Sequence, residues 1–308
     1  MSETLVHAAC AATETSSRTS LGGALFGSVV ATLHAAGCVF AAEEAELILD
    51  AAERAGDPAR CAELVHDMVA RRCAGEPLEH IVGWAAFCGL RIAVAPGVFV
   101  PRRRTEFLAE QAVQVGGDAA VIVELCCGAA PLAATLAVRL PRAEIHAVDI
   151  DPVQTAYARR NLALFASRAY VHEGDLYAGL PQGLRGRVDL IVANAPYVPT
   201  ADIGTLPTEA REYESHRSFD GGSDGLAVQR RVAAGAAEWL SPGGHVLVET
   251  SADQGPLSRG VFAAAGLDAW SASCADLEAT VAVGRRLHSA ASAPKPCRVA
   301  RLCCTCPD

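Results

Sequence analysis

At 308 residues, 51% of them apolar, the chain is long enough for one large domain with a substantial core and a second, smaller one. A net charge of −9 disfavours a general nucleic-acid binder, because an acidic surface repels phosphate backbones. Twelve cysteines are scattered through the chain, and positions such as Cys61, Cys88 and Cys274 fall in helical or strand patterns. That usage reads as small buried hydrophobes in a reducing cytoplasm and not as a disulfide scaffold.

Residues 1–17 are rich in Ala, Ser and Thr without a period, and read as a disordered extension. Leu21 to Ala42 carries no Asp, Glu, Lys or Arg, but His34 and several small residues interrupt it, so export or membrane insertion is not expected. Three helical patterns follow within 18–75, at about 18–36, about 41–55, and from an Asp57-Pro58 cap to Gly75. Each needs a partner for its apolar stripe, which predicts a small helical bundle. Residues 76–104 read as a hairpin linker, with strands at Glu76–Gly83 and Phe87–Val94 around Trp84-Ala85-Ala86. The run Arg102-Arg103-Arg104 beside Pro101 suggests a lip for an acidic group.

From 105 to 287 strands and helices alternate, the pattern of a doubly wound α/β sheet. The last two strands lack an intervening helix, so one of them should run antiparallel. The tail, 288–308, is rich in Ala, Ser and Pro and ends Cys303-Cys304-Thr305-Cys306; it lacks zinc-finger spacing and reads as disordered, with no metal expected.

Chemistry is expected at the carboxyl ends of the strands, where open α/β sheets bind ligands. After the first strand, Glu124-Leu125-Cys126-Cys127-Gly128-Ala129-Ala130-Pro131 makes a tight turn into a helix N-terminus. It has neither the Lys nor the glycine spacing of a P-loop. Asp149 ends the second strand, where an acid bonds ribose hydroxyls, and Asp175 ends the third, where it accepts from an adenine amino group or caps a turn. These features fit dinucleotide and S-adenosylmethionine enzymes alike. Asn194-Ala195-Pro196-Tyr197 after the fourth strand separates them. Asn194 offers a carbonyl acceptor, Pro196 fixes the direction of the Ala195 carbonyl, and Tyr197 supplies a flat wall. Such a cradle suits an NH₂ group, which methyl transfer to nitrogen requires and hydride transfer does not.

At these residues the chain resembles the release-factor glutamine methyltransferases (the HemK/PrmC family). The resemblance spans about 18–287 and rests on Pro77 to Gly83, Val100-Pro101-Arg102 through Thr105-Glu106, Glu124 to Ala130, Ala147 to Asp149, Gly174 to Tyr177, Asn194 to Tyr197, and Gly221-Gly222-Ser223-Asp224-Gly225. It implies a Rossmann-like, seven-stranded class I methyltransferase domain with a small N-terminal helical bundle. It also implies S-adenosyl-L-methionine as cofactor, and as partner a protein substrate, a peptide chain release factor methylated on the glutamine of a Gly-Gly-Gln tip. No membrane and no stable nucleic-acid partner is expected. By the same analogy Glu124, Cys126, Cys127, Gly128, Ala129, Ala130, Asp149, Asp175, Leu176 and Asn194 line the cofactor site. Asn194, Ala195, Pro196 and Tyr197 hold the reacting amide, with Arg102 and Thr105 beside the substrate. The chain departs from the family where Ala195 replaces a proline, where Cys126 and Ala130 stand in place of glycines, and where Arg103-Arg104 replace a Pro-Asp pair. Two alternatives stay open: an N-methyltransferase acting on a small-molecule amine or an adenine, and a binding protein without catalysis whose eroded loop no longer holds cofactor.

Overall fold

The computed structural model describes residues 20–56 and 60–288. The expected extension, the Asp57-Pro58 cap and the Cys-rich tail lie outside the described residues. Helices α1 (Ser20–Ala35), α2 (Ala41–Arg54) and α3 (Cys61–Cys73) pack on one another. Helix α2 shows why: Ala41, Glu44, Ala45, Ile48, Leu49 and Ala52 recur at helical spacing and are buried. They close on Val29 and Leu33 of α1 and on Val65, Met68 and Val69 of α3. Burying side chains such as Leu33 and Ile48 completely stabilises the bundle by about 2–3 kcal/mol each. Among the described residues no helix is long and apolar enough to cross a membrane.

The expectation of two strands around Trp84-Ala85-Ala86 is corrected. Residues Leu78–Val82 form a short helix, α4, entered from Pro77 and ended by Gly83 in the left-handed conformation. The hairpin pairs β1 (Trp84–Phe87) with β2 (Leu90–Ala93). Its turn is Cys88-Gly89, both at positive φ, the type I′ geometry that suits strand twist. The alternation around Trp84 misled because helix α4 is too short to show a period.

After α5 (Thr105–Val115) come β3 (Val121–Leu125), α6 (Pro131–Arg139), β4 (Glu144–Asp149), α7 (Pro152–Asn161), β5 (Ala169–Glu173), β6 (Val188–Ala193), α8 (Thr208–Tyr213), α9 (Ala227–Trp239), β7 (Leu240–Thr250), α10 (Gly255–Ala264), β8 (Asp268–Cys274) and β9 (Ala279–Arg285). They build a seven-stranded sheet in the order β5-β4-β3-β6-β7-β9-β8. The pairs from β5 to β7 are parallel and β9 is antiparallel to both neighbours. This is a Rossmann-like doubly wound sheet, and β9 is the reversed strand of the final pair.

Period-two alternation divides the side chains between two cores. Ile122 and Ile145 face α5, α6 and α7, whereas Val121, Val123 and Leu125 face α9 and α10, whose Trp239 and Phe262 fill the second core. Helix α8, between β6 and α9, is an element that the sequence reading left unassigned. It is tied to the bundle by Arg72 of α3, which bonds Glu209 at 2.6 Å and Glu44 of α2 at 2.6 Å.

Candidate active site

Register, set by the apolar runs, brings the expected groups together. Leu125 lies opposite Val148 on one side and Ala193 on the other, and Ala193 lies opposite Val248. One step further along, Cys126, Asp149, Asn194 and Glu249 therefore stand abreast at the carboxyl edge. Strand order reverses at β3, so this edge is the topological switch point of the sheet.

A cavity of about 300 Å³ opens over β3 and β4. Glu124, Cys126, Cys127, Gly128, Ala129, Asp149, Asp175, Leu176, Asn194, Pro196 and Thr105 of the expected residues line it. A second cavity of about 320 Å³ is lined by Arg102, Arg104, Asn194, Ala195, Tyr197 and Glu249, among others. The two share Phe99, Asn194 and Ser218. Asn194 thus stands where they meet. Ala130 lines neither cavity; its buried methyl sits behind the loop as the residue preceding α6.

The loop after β3 is held by backbone and carboxylate. Asp149 accepts from the Gly128 N–H at 2.8 Å and from the Asp151 N–H at 3.0 Å. Its carboxyl is pushed up chiefly by burial, with these N–H groups opposing the shift. Asp149 is not the cap of α7; Asp151 takes that role by accepting from the Val153 N–H at 2.8 Å. Glu124 lies beneath the start of α6 and accepts from the Ala133 N–H at 2.7 Å, satisfying a donor that the helix cannot. Burial pushes its carboxyl well up. Asp175 accepts from Arg231 at 2.7 Å, so an ion pair closes that rim of the cavity.

Cys126, Gly128 and Ala130 all have positive φ, as does Leu176. The turn therefore keeps a glycine-type conformation with side chains present, at a strain of about 1 kcal/mol for each non-glycine residue. Apolar Ile150, Leu176 and Val228 suit the faces of a purine, and Asp149 retains lone pairs for ribose hydroxyls. These residues fit S-adenosylmethionine: an acid for the ribose, apolar walls for the base and a small-residue turn for close backbone approach.

On the acceptor side, Asn194 donates from Nδ2 to Thr105 Oγ1 at 3.3 Å, which leaves Oδ1 as the free acceptor. Thr105 is itself buried. Among the described residues no donor bonds the Ala195 carbonyl. Tyr197 donates to Glu249 Oε1 at 3.1 Å, and Gln254 donates to the Tyr197 carbonyl at 3.0 Å. A Cβ at Gly225 (φ +75°) would overlap that same carbonyl, which explains a glycine there.

The three-arginine lip is corrected. Arg102 is paired with Glu214 at 2.6 Å and Arg104 with Glu249 at 3.1 Å. Only Arg103 keeps a free guanidinium among them. The sequence reading missed Gln154, which donates to Gly97 at 2.9 Å, and Asn161, which donates to the Ala93 and Ala129 carbonyls and so ties the hairpin to the loop. No sequence signal marked either. Glu249 was also missed, although its place at the end of an apolar strand could have flagged it.

Comparison with known proteins places the chain among methyltransferases. Residues 89–208 match the family model "Methyltransferase small domain". A release factor glutamine methyltransferase of Geobacter sulfurreducens is 40% identical over 65% of this chain and 69% of its own length. Another, from Cereibacter sphaeroides, is 36% identical over 77% of this chain and 88% of its own. A 4-amino-L-phenylalanine/4-methylamino-L-phenylalanine methyltransferase of Streptomyces pristinaespiralis is 36% identical over 64% and 69%. Fold and site define an S-adenosylmethionine-dependent methyltransferase. The chain belongs to the release factor glutamine methyltransferase family.

Proposed function

We propose that this protein methylates the side-chain amide nitrogen of a glutamine in a protein, a translation release factor. The observation that carries the reading is a pair of unbonded acceptors, Asn194 Oδ1 at the junction of the two cavities and the carbonyl of Ala195, which lines the second. An amide nitrogen is a poor nucleophile because its lone pair is delocalised into the carbonyl. Two acceptors gripping its two N–H groups align that lone pair and favour positive charge developing on nitrogen, a positioning and electrostatic effect. Thr105 holds Asn194 in the orientation that turns oxygen, not NH₂, toward the substrate. Pro196 lines the cofactor cavity and Tyr197 the acceptor cavity, so the tetrad spans both. S-adenosylmethionine supplies an electrophilic methyl on a sulfonium, and the proton released from nitrogen leaves to solvent.

In this reading residues 18–75 form an N-terminal helical domain, 76–104 a hairpin linker and 105–287 the catalytic domain of a cytoplasmic enzyme. The separate core of α1–α3 and the free thiols of all seven cysteines among the described residues support it. Incubation with methyl-labelled cofactor and a release factor, followed by peptide mapping, tests it. Label on the Gly-Gly-Gln glutamine is the expected result, and an unlabelled factor despite cofactor binding overturns it. A second reading, a free amino acid carrying an amine, draws on the Streptomyces pristinaespiralis relative and on the unpaired Glu249 Oε2 in the acceptor cavity.

A further inference from the structure

Glu249 is buried to 1% exposure in the wall of the acceptor cavity, and its two oxygens are used unequally. Oε1 accepts from Tyr197 at 3.1 Å and from Arg104 Nε at 3.1 Å, whereas Oε2 is buried without a partner. An unsatisfied buried carboxylate oxygen is disfavoured by about 1–3 kcal/mol, or more for a charged group, and one in a cavity wall can be completed by a ligand's donor. Parallel register places Glu249 directly beside Asn194, since Ala193 and Val248 are partners. Neighbouring strands lie about 4.8 Å apart. In an extended glutamine the amide nitrogen and the α-nitrogen are about 5–6 Å apart on standard bond lengths. Gripping the first at Asn194 thus brings the second to Glu249.

We infer that Glu249 Oε2 is a second substrate subsite, accepting a hydrogen bond from the α-nitrogen of the residue whose side chain is methylated. This rests on the acceptor-cavity reading above and deepens it. The donor is the main-chain N–H of a protein glutamine or, in a free amino acid, the ammonium. Arg104 and Tyr197 both donate to Oε1 and so orient the carboxylate.

The test pairs Glu249→Gln with a backbone change in the substrate. Tyr197 and Arg104 both donate, so the carboxamide oxygen stays toward them and its NH₂ replaces Oε2, removing the acceptor while preserving shape. A release factor is made by in vitro translation with either glutamine or its α-hydroxy analogue, which swaps the N–H for an ester oxygen. Inhibition constants of each form against labelled factor are measured for both enzymes, so that a value is obtained even where turnover is slow. The expected result is a tenfold or greater weakening of the glutamine form by Glu249→Gln, with less than a twofold change for the ester form. Cofactor affinity should be unchanged. Equal weakening of both forms, or of neither, overturns the subsite and leaves Glu249 a support for Tyr197. If the wild-type enzyme labels neither form, the glutamine reading itself fails. Free glutamine forms the second arm: wild-type turnover lost on Glu249→Gln assigns the subsite to an ammonium, turnover that survives the change overturns the subsite, and a wild type that turns over only the protein assigns it to the main-chain N–H.

Discussion

The two cavities that meet at Asn194 are held in shape by different means. The cofactor side is built from backbone: a turn with three residues at positive φ, clamped by Asp149 through the Gly128 N–H. The acceptor side is built from side chains far apart in sequence, with Thr105 reaching Asn194 across 89 residues and Arg104 reaching Glu249 across 145. Strain is stored in the first and charge pairing in the second. On the proposed reading, the difference predicts that cofactor binding tolerates changes of side chain in the turn, whereas acceptor recognition depends on how distant segments pack.

Asn194→Ala strikes the junction itself and should have the largest effect. Loss of one preorganised acceptor should lower kcat by about 10²–10³-fold, roughly 3–4 kcal/mol, while calorimetry still shows cofactor binding. Intact turnover would remove the cradle. Asp149→Ala strikes the backbone side and should weaken cofactor binding by about 1–3 kcal/mol, read by calorimetry, because the turn and the ribose lose a charged acceptor. Thr105→Val strikes the side-chain half: with its brace gone, Asn194 samples the flipped amide, and kcat should fall about tenfold with cofactor affinity unchanged.

Glu214 sharpens the contrast through pH. Burial pushes its carboxyl up to about 7 in spite of Arg102. A group whose folded pKa is raised contributes stability below its unfolded pKa near 4.5, and that contribution is lost as pH rises through about 7. Glu214→Gln should therefore be neutral near pH 5 and more stable than the wild type by about 1–2 kcal/mol near pH 8, measured by denaturant titration at both pH values. Parallel curves would exclude the shift. The smallest effect is expected from Cys126→Gly, which relieves a left-handed cysteine and should raise stability by about 1 kcal/mol, a Tm increase of a few degrees. No change in Tm would show that the turn is unstrained.

The cofactor half was legible in the sequence because its signals are contiguous. An apolar strand, a tight turn, a helix start and an acid at the next strand end occupy Val121 to Asp149, and β3, α6 and β4 lie there. The position of Asn194 to Tyr197 at the carboxyl end of β6 was legible for the same reason. The helix at Leu78–Val82 was not, being too short for a period, and α8 was not, since Thr208–Tyr213 is a single turn and a half held by contacts to α3. The basic run at Arg102–Arg104 read as free charge because its partners, Glu214 and Glu249, lie more than a hundred residues away.

By itself, then, the order of residues determined the strand–turn–helix units, the acids and amide at their ends, and the family. These depend on backbone preferences and hydrophobic period, which act over a few neighbouring residues. Only the tertiary structure decided which arginines are spent on internal carboxylates, which oxygen of Glu249 remains unpaired, and that Asn194 and Glu249 stand side by side. Such pairings are set by sheet register and packing, and two distant side chains acquire a common environment only once the chain has folded.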